Sequence, residues 1–143
     1  KDLAKYFPNN YYFNLLYLES IIRTGNIDLS STLIKDMENS LSKLTDRQIE
    51  WYTPYLNYEK ALLSFYQEDY HKTIDLVDNT IENYTAELDI ILGNAYLLKG
   101  MAYDKIDERG KAKECYHKCI ALDNFSGAMI KAKDYLKQPY IRN

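Results

Sequence analysis

Along most of this chain apolar residues return every three or four positions, and they never alternate long enough to make a convincing strand. In 10–24, NYYFNLLYLESIIRT, the residues Phe13, Leu16, Tyr17, Ser20 and Ile21 follow the i, i+3, i+4, i+7 series of an amphipathic helix. Pro8, Asn9 and Asn10 mark its start, and Gly25 with Asn26 its end. A second helix is predicted over 30–44, where Leu33, Ile34, Met37, Ser40, Leu41 and Leu44 form an apolar stripe. Lys35, Asp36, Glu38 and Lys43 then point away from it. Further helices are predicted over 54–67, 70–84, 86–105, 109–122 and 126–137. Seven helices joined by tight turns predict an all-α protein of antiparallel hairpins in a single domain spanning 1–143.

The start of the third helix has two readings. Thr45-Asp46-Arg47-Gln48 has capping-box spacing, and Thr53-Pro54 offers a second start with proline at the first helical position. Either a short helix precedes the main one, or one helix is kinked near Pro54.

Composition excludes several classes of function. The net charge of −3 and the scatter of lysine and arginine among acids argue against a nucleic-acid partner, because phosphate contacts need clustered cations. No apolar run approaches the ~20 residues needed to span a bilayer, so membrane insertion is not expected. The chain opens on Lys1 without an apolar leader region and reads as a mature fragment or a piece of a longer protein, cytoplasmic if anything. Cys115 and Cys119 sit four apart on one predicted helix, which places their Cβ atoms ~5–6 Å apart, wider than the ~3.8 Å of a disulfide. They are expected as free thiols. His117 lies on another side of that helix, so the three residues cannot converge on a metal. No cofactor is expected either: GNAYLLKG lacks the ending of a phosphate loop, and no nucleophile elbow or zinc-protease motif occurs.

The stretch 96–124, YLLKGMAYDKIDERGKAKECYHKCIALDN, repeats small and aromatic residues at fixed intervals. Gly100 and Tyr103 are followed by Ala112, Tyr116 and Cys119, then Leu122 and Asp123, with Tyr96 ahead of them. Small residues at Gly100, Ala112 and Cys119 allow two helices to approach, while Tyr103 and Tyr116 fill the space beside them. Thirty-nine residues upstream, Ala61, Ser64, Thr73, Val77 and Thr80 repeat the intervals, the last three of them within the phrase EDYHKTIDLVDNTI. The pattern resembles the tetratricopeptide repeat (TPR), whose period is 34. The excess of five residues is assigned to longer helices around 84–88. On this resemblance 93–125 is the best-matching repeat, 54–92 a second, 10–44 a divergent hairpin and 126–137 a capping helix.

The resemblance implies hairpins stacked as a right-handed superhelix, an α-solenoid, whose first helices line a concave groove for a protein or peptide. The groove positions it implies are Tyr55, Tyr58, Glu59, Leu62 and Phe65, and then Asn94, Leu97, Leu98, Met101 and Lys105. Tyrosines suit such a face because they give large contact area with a hydroxyl. Glu59 and the lack of paired cations speak against holding a peptide's terminal carboxylate. An apolar or aromatic segment fits better, from another protein, from the same polypeptide or from a second copy of the chain. Carboxylates such as Glu19, Glu59 and Asp104 do not by themselves make an acid–base pair. The reading is therefore a non-enzymatic scaffold module that binds protein. The alternative is a ligand- or peptide-sensing regulatory domain whose effector lies outside this sequence.

Overall fold

The structure, a computed structural model, describes residues 10–84 and 90–141. Seven helices lie there: α1 (Tyr11–Arg23), α2 (Ile27–Leu41), α3 (Asp46–Tyr66), α4 (Tyr70–Glu82), α5 (Ile90–Lys105), α6 (Arg109–Ala121) and α7 (Gly127–Lys137). The described residues contain no strand, and the protein is all-α. The segment to which the longer helices were assigned falls largely outside the described residues.

Local chemistry sets most helix starts. The side chains of Asn10, Asn26, Asp69 and Ser126 each accept a hydrogen bond from the backbone N–H three residues on. The Asn26 cap starts α2 at Ile27, three residues before the start that the apolar stripe predicts, and α2 ends at Leu41. At α3 the Thr45 backbone N–H and hydroxyl both donate to Gln48 Oε1, at 3.2 and 2.9 Å. That cap opens one unbroken helix of 21 residues that runs through Pro54. Thr53 therefore caps nothing, and its hydroxyl donates to the Ile49 carbonyl at 2.6 Å. The predicted body at 54–67 is the second half of this helix. Pro54 is buried within it.

Helices pack in a simple pattern. Among the described residues each helix touches its neighbours in sequence, and α1 also touches α3, α3 touches α5, and α5 touches α7. The even-numbered helices do not touch one another. An inner row of odd-numbered helices is thus backed by an outer row. The main core fills the space between the rows from Tyr11 and Leu18 to Ala102, and a smaller one joins Leu97, Ala112, Tyr116 and Cys119 to Ala128 and Ala132 of α7.

The two repeats also share their turns. Glu68 and Asp107, thirty-nine residues apart, both take left-handed backbone, at φ 64° and 61°. In each turn the next residue donates back into the helix, Asp69 to the Ser64 carbonyl at 3.0 Å and Glu108 to the Tyr103 carbonyl at 2.9 Å. This is the Schellman closure of a helix end, made here without glycine. The small residues proposed to let helices approach are buried: Ala61, Thr73 and Thr80 in the first repeat, Gly100, Ala112 and Cys119 in the second. Gly100 shows the tightest approach. A Cβ added there would lie 2.3 Å from Cε1 of Tyr116, inside any tolerable contact.

The first hairpin falls into register at its own turn, where Gly25, at φ 79°, takes the left-handed place of Glu68. Asn26 occupies the place of Asp69, which aligns Ser30 with Thr73, Ile34 with Val77 and Met37 with Thr80. All six are buried. Leu18, fully buried, then stands where Ala61 and Gly100 stand.

Candidate binding groove

Two cavities open along the odd-numbered helices. The larger, about 230 Å³, is lined from α1 by Arg23, from α3 by Tyr58 and Leu62, from α5 by Asn94, Leu97 and Met101, and from α7 by Lys131 and Tyr135. The smaller, about 160 Å³, lies between α1, α3 and α5 and is lined by Tyr12, Leu16, Glu19, Tyr55, Tyr58, Glu59, Ile90 and Asn94. Tyr58, Ile90 and Asn94 border both, so the two form one groove. Its rim is apolar: Tyr12, Leu16 and Ile90 stand among the exposed large hydrophobic residues.

The groove brings together Tyr55, Tyr58, Glu59, Leu62, Asn94, Leu97, Leu98 and Met101 of the predicted set. Tyr58 is a wall rather than a surface residue, 3% exposed. Two predicted residues lie elsewhere. Phe65 is buried under the chain's own C-terminal segment, its ring 5.7 Å from that of Tyr140 and 5.4 Å from that of Tyr70. Lys105, the last residue of α5, borders neither cavity. A repeat pattern could not anticipate Phe65, because the segment that covers it comes from beyond the repeats.

Tyr140 is held by a second cluster that residue spacing does not reveal. The Asp104 side chain is 1% exposed. It accepts paired bonds from Arg109 at 2.9 and 3.0 Å, the Tyr116 hydroxyl at 2.7 Å and the Tyr140 backbone N–H at 2.8 Å. Arg109 reaches on to the carbonyls of Tyr135 and Leu136 at 2.6 and 3.1 Å. One carboxylate thereby ties α5, α6, α7 and the segment after α7 together. Burial, and then the bond to Asp104, push the Tyr116 hydroxyl well above its usual range. Both oxygens of the buried carboxylate and the buried Tyr116 hydroxyl are matched to partners, which is the arrangement of a structural network.

Electrostatics in the groove centre on Glu59. Its residue is 5% exposed, and its Oε2 has no hydrogen-bond partner. Burial, and then the nearby Glu19 carboxylate, push the Glu59 carboxyl well above the usual glutamate range, while Arg23 opposes them. Arg23 is committed to Glu19, with Nε and Nη2 both donating to Oε1 at 2.9 and 2.7 Å.

The cysteines are free and buried. Burial raises both thiols to about 11, and Cys119 Sγ lies 3.3 Å from the Gly93 carbonyl, to which it donates. Among the described residues no group of three or more histidine, cysteine, aspartate or glutamate side chains is placed to hold a metal ion, and no helix is long and apolar enough to cross a membrane.

Comparison of the chain with protein-family models, with curated proteins and with solved structures finds no match. Its class rests on the fold itself: an all-α chain in which an inner row of helices carries a groove.

Proposed function

We propose that this chain is a non-enzymatic, tetratricopeptide-like module, its hairpins stacked as a right-handed superhelix, that holds an extended or helical segment of another protein against the odd-numbered helices. The observation that carries the reading is the continuous groove over four helices with an apolar rim at Tyr12, Leu16 and Ile90. Support for the stacking comes from the recurrence of turns and buried small residues at a fixed offset, and from contacts between successive odd-numbered helices alone. Apolar area on the rim favours an apolar or aromatic segment, and Glu19 with Glu59 disfavours a carboxylate terminus.

The test is an NMR titration of isotope-labelled protein with two short peptides, one apolar-aromatic and one acidic-tailed. Saturable shifts at the Ile90, Asn94 and Leu97 amides are expected with the first and none with the second. Ile90→Asp, on the exposed rim, should weaken the first by about tenfold or more. Saturable binding of the acidic-tailed peptide centred on Asn94 and Lys105 would overturn the reading.

A further inference from the structure

Glu59 occupies a position where the repeat does not need a carboxyl group. Thirty-nine residues on, the equivalent position is Leu98, buried at 3% exposure in the same inner row. Replacing a leucine-type wall by glutamate leaves a buried oxygen without a partner, which costs about 1–3 kcal/mol. The unpartnered atom is Oε2 of Glu59. Charge is also unbalanced around it. Glu19 and Glu59 face one cation, Arg23, whose Nε and Nη2 both donate to Glu19. The cavity bordered by the two carboxyl groups is walled by Tyr12, Tyr55 and Tyr58, whose ring faces attract cations. Its 160 Å³ suits one long side chain rather than a folded element.

We propose that this cavity is a site for a single organic cation, a lysine or arginine side chain presented by the segment that lies in the groove, with Glu59 as its counter-charge. The inference rests on the groove reading for the source of the side chain but not for the site itself. Rotation about the terminal torsion of Glu59 turns either oxygen toward the cavity. The incoming cation then meets the carboxylate form, flanked by the aromatic walls. The charged and titratable groups around Glu59 are Glu19, Arg23 and Tyr12 from α1, and Tyr55 and Tyr58 on α3 itself, while α5 contributes the neutral Asn94. Because burial favours the neutral acid in the free protein, cation binding releases a proton, and affinity rises with pH.

Two probe pairs test the site. The first is n-butylammonium against n-butanol, followed by the carbon resonance of the Glu59 carboxyl group at pH 6 and pH 8. The ammonium should move that resonance toward the ionised value, more readily at pH 8, and the alcohol should not. Equal shifts from both, or none from either, would overturn the proposal. The second pair is an apolar peptide with a central lysine and its norleucine twin, by calorimetry. The lysine peptide should bind about tenfold tighter, and the preference should vanish in Glu59→Gln. Equal binding of the twins defeats the cation site and leaves the groove reading standing. A butylammonium response with no binding of either peptide does the reverse.

Discussion

In hairpin α3–α4, Phe65 near the end of the first helix lies edge-on to Tyr70 at the start of the second, with ring centres 5.4 Å apart. Thirty-nine residues on, in α5–α6, the same two positions are Asp104 and Arg109, joined by bonds of 2.9 and 3.0 Å. The Tyr140 segment meets both, packing its ring at a tilt against Phe65 and donating its backbone N–H to Asp104. A parallel exchange occurs at the crossing of the helices, where Ala61 and Val77 in one hairpin become Gly100 and Tyr116 in the other, all buried. Removing the last carbon at Gly100 makes room for a full ring, and the ring's hydroxyl reaches Asp104. One backbone therefore supports two kinds of joint. The apolar joint is tolerant of exchange, because dispersion contacts can be remade by repacking. The polar one depends on every partner being present.

The largest expected effect breaks the polar joint. Asp104→Leu should cost about 3 kcal/mol, since it leaves the buried Tyr116 hydroxyl and the Tyr140 backbone N–H without an acceptor, while Arg109 keeps only its carbonyl partners. Phe65→Leu, at the equivalent position, should cost only about 1–2 kcal/mol. Chemical denaturation of the two variants side by side measures the contrast, and equal losses would mean that the joints do not differ in kind. Next in size is Gly100→Ala. Alanine is normally the better helix former by about 1 kcal/mol, yet here its Cβ would meet the Tyr116 ring, and a net loss of about 2 kcal/mol is expected. Ala61→Gly, the reverse exchange in the other hairpin, should also destabilise, by about 1 kcal/mol. Both directions of one substitution thus fail, each in its own hairpin.

A smaller effect concerns Glu59 against its counterpart Leu98. The Glu59 carboxyl titrates well above the usual range in the folded protein. The folded state therefore holds a proton that the unfolded state has released, and stability falls as pH rises from the ordinary glutamate range through the folded one. Glu59→Leu removes the titrating group and makes the hairpins alike. It should flatten the fall of thermal stability between pH 5 and pH 8 and raise stability at pH 8 by about 1–2 kcal/mol. A wild-type pH profile that keeps its slope in this variant would show that another group carries it.

What could be read from residue order was local or periodic. Thr45 with Gln48, Gly100, Ala112 and Cys119 declare themselves through short spacing, and the structure places each in the expected cap or buried position. Pro54 leaves the start of α3 open between two readings, because proline suits a first helical position, and the structure takes the continuous helix that Thr45 begins. The register of the first hairpin escapes detection because Leu18 and Met37 replace two of the signature small residues, and only the turn at Asn26 aligns them. Most of the groove residues follow from repeat position. The Asp104 cluster does not, since its donors Arg109, Tyr116 and Tyr140 are scattered along the sequence and meet only after folding. Nor does order reveal that Glu59 is buried with Oε2 unpartnered.

The smallest expected effect separates the hairpins at their turns. Both turns close with the same backbone bonds, but the residue that opens the second helix differs in reach. The Asp69 carboxylate accepts from the Lys72 backbone N–H at 3.2 Å, whereas Glu108, one methylene longer at the same place, makes no such bond. Removing the first should cost α4 a cap, and Asp69→Ala is expected to lose about 1 kcal/mol in thermal or chemical denaturation. Glu108→Ala should change stability by no more than about 0.5 kcal/mol, because its side chain satisfies no helix-end donor. The shorter acid supplies the missing reach, so Glu108→Asp should gain about 0.5 kcal/mol by giving α6 the cap that α4 already has. Equal losses from the two alanine variants would place the stabilising charge in the field of the helix end rather than in the cap bond itself.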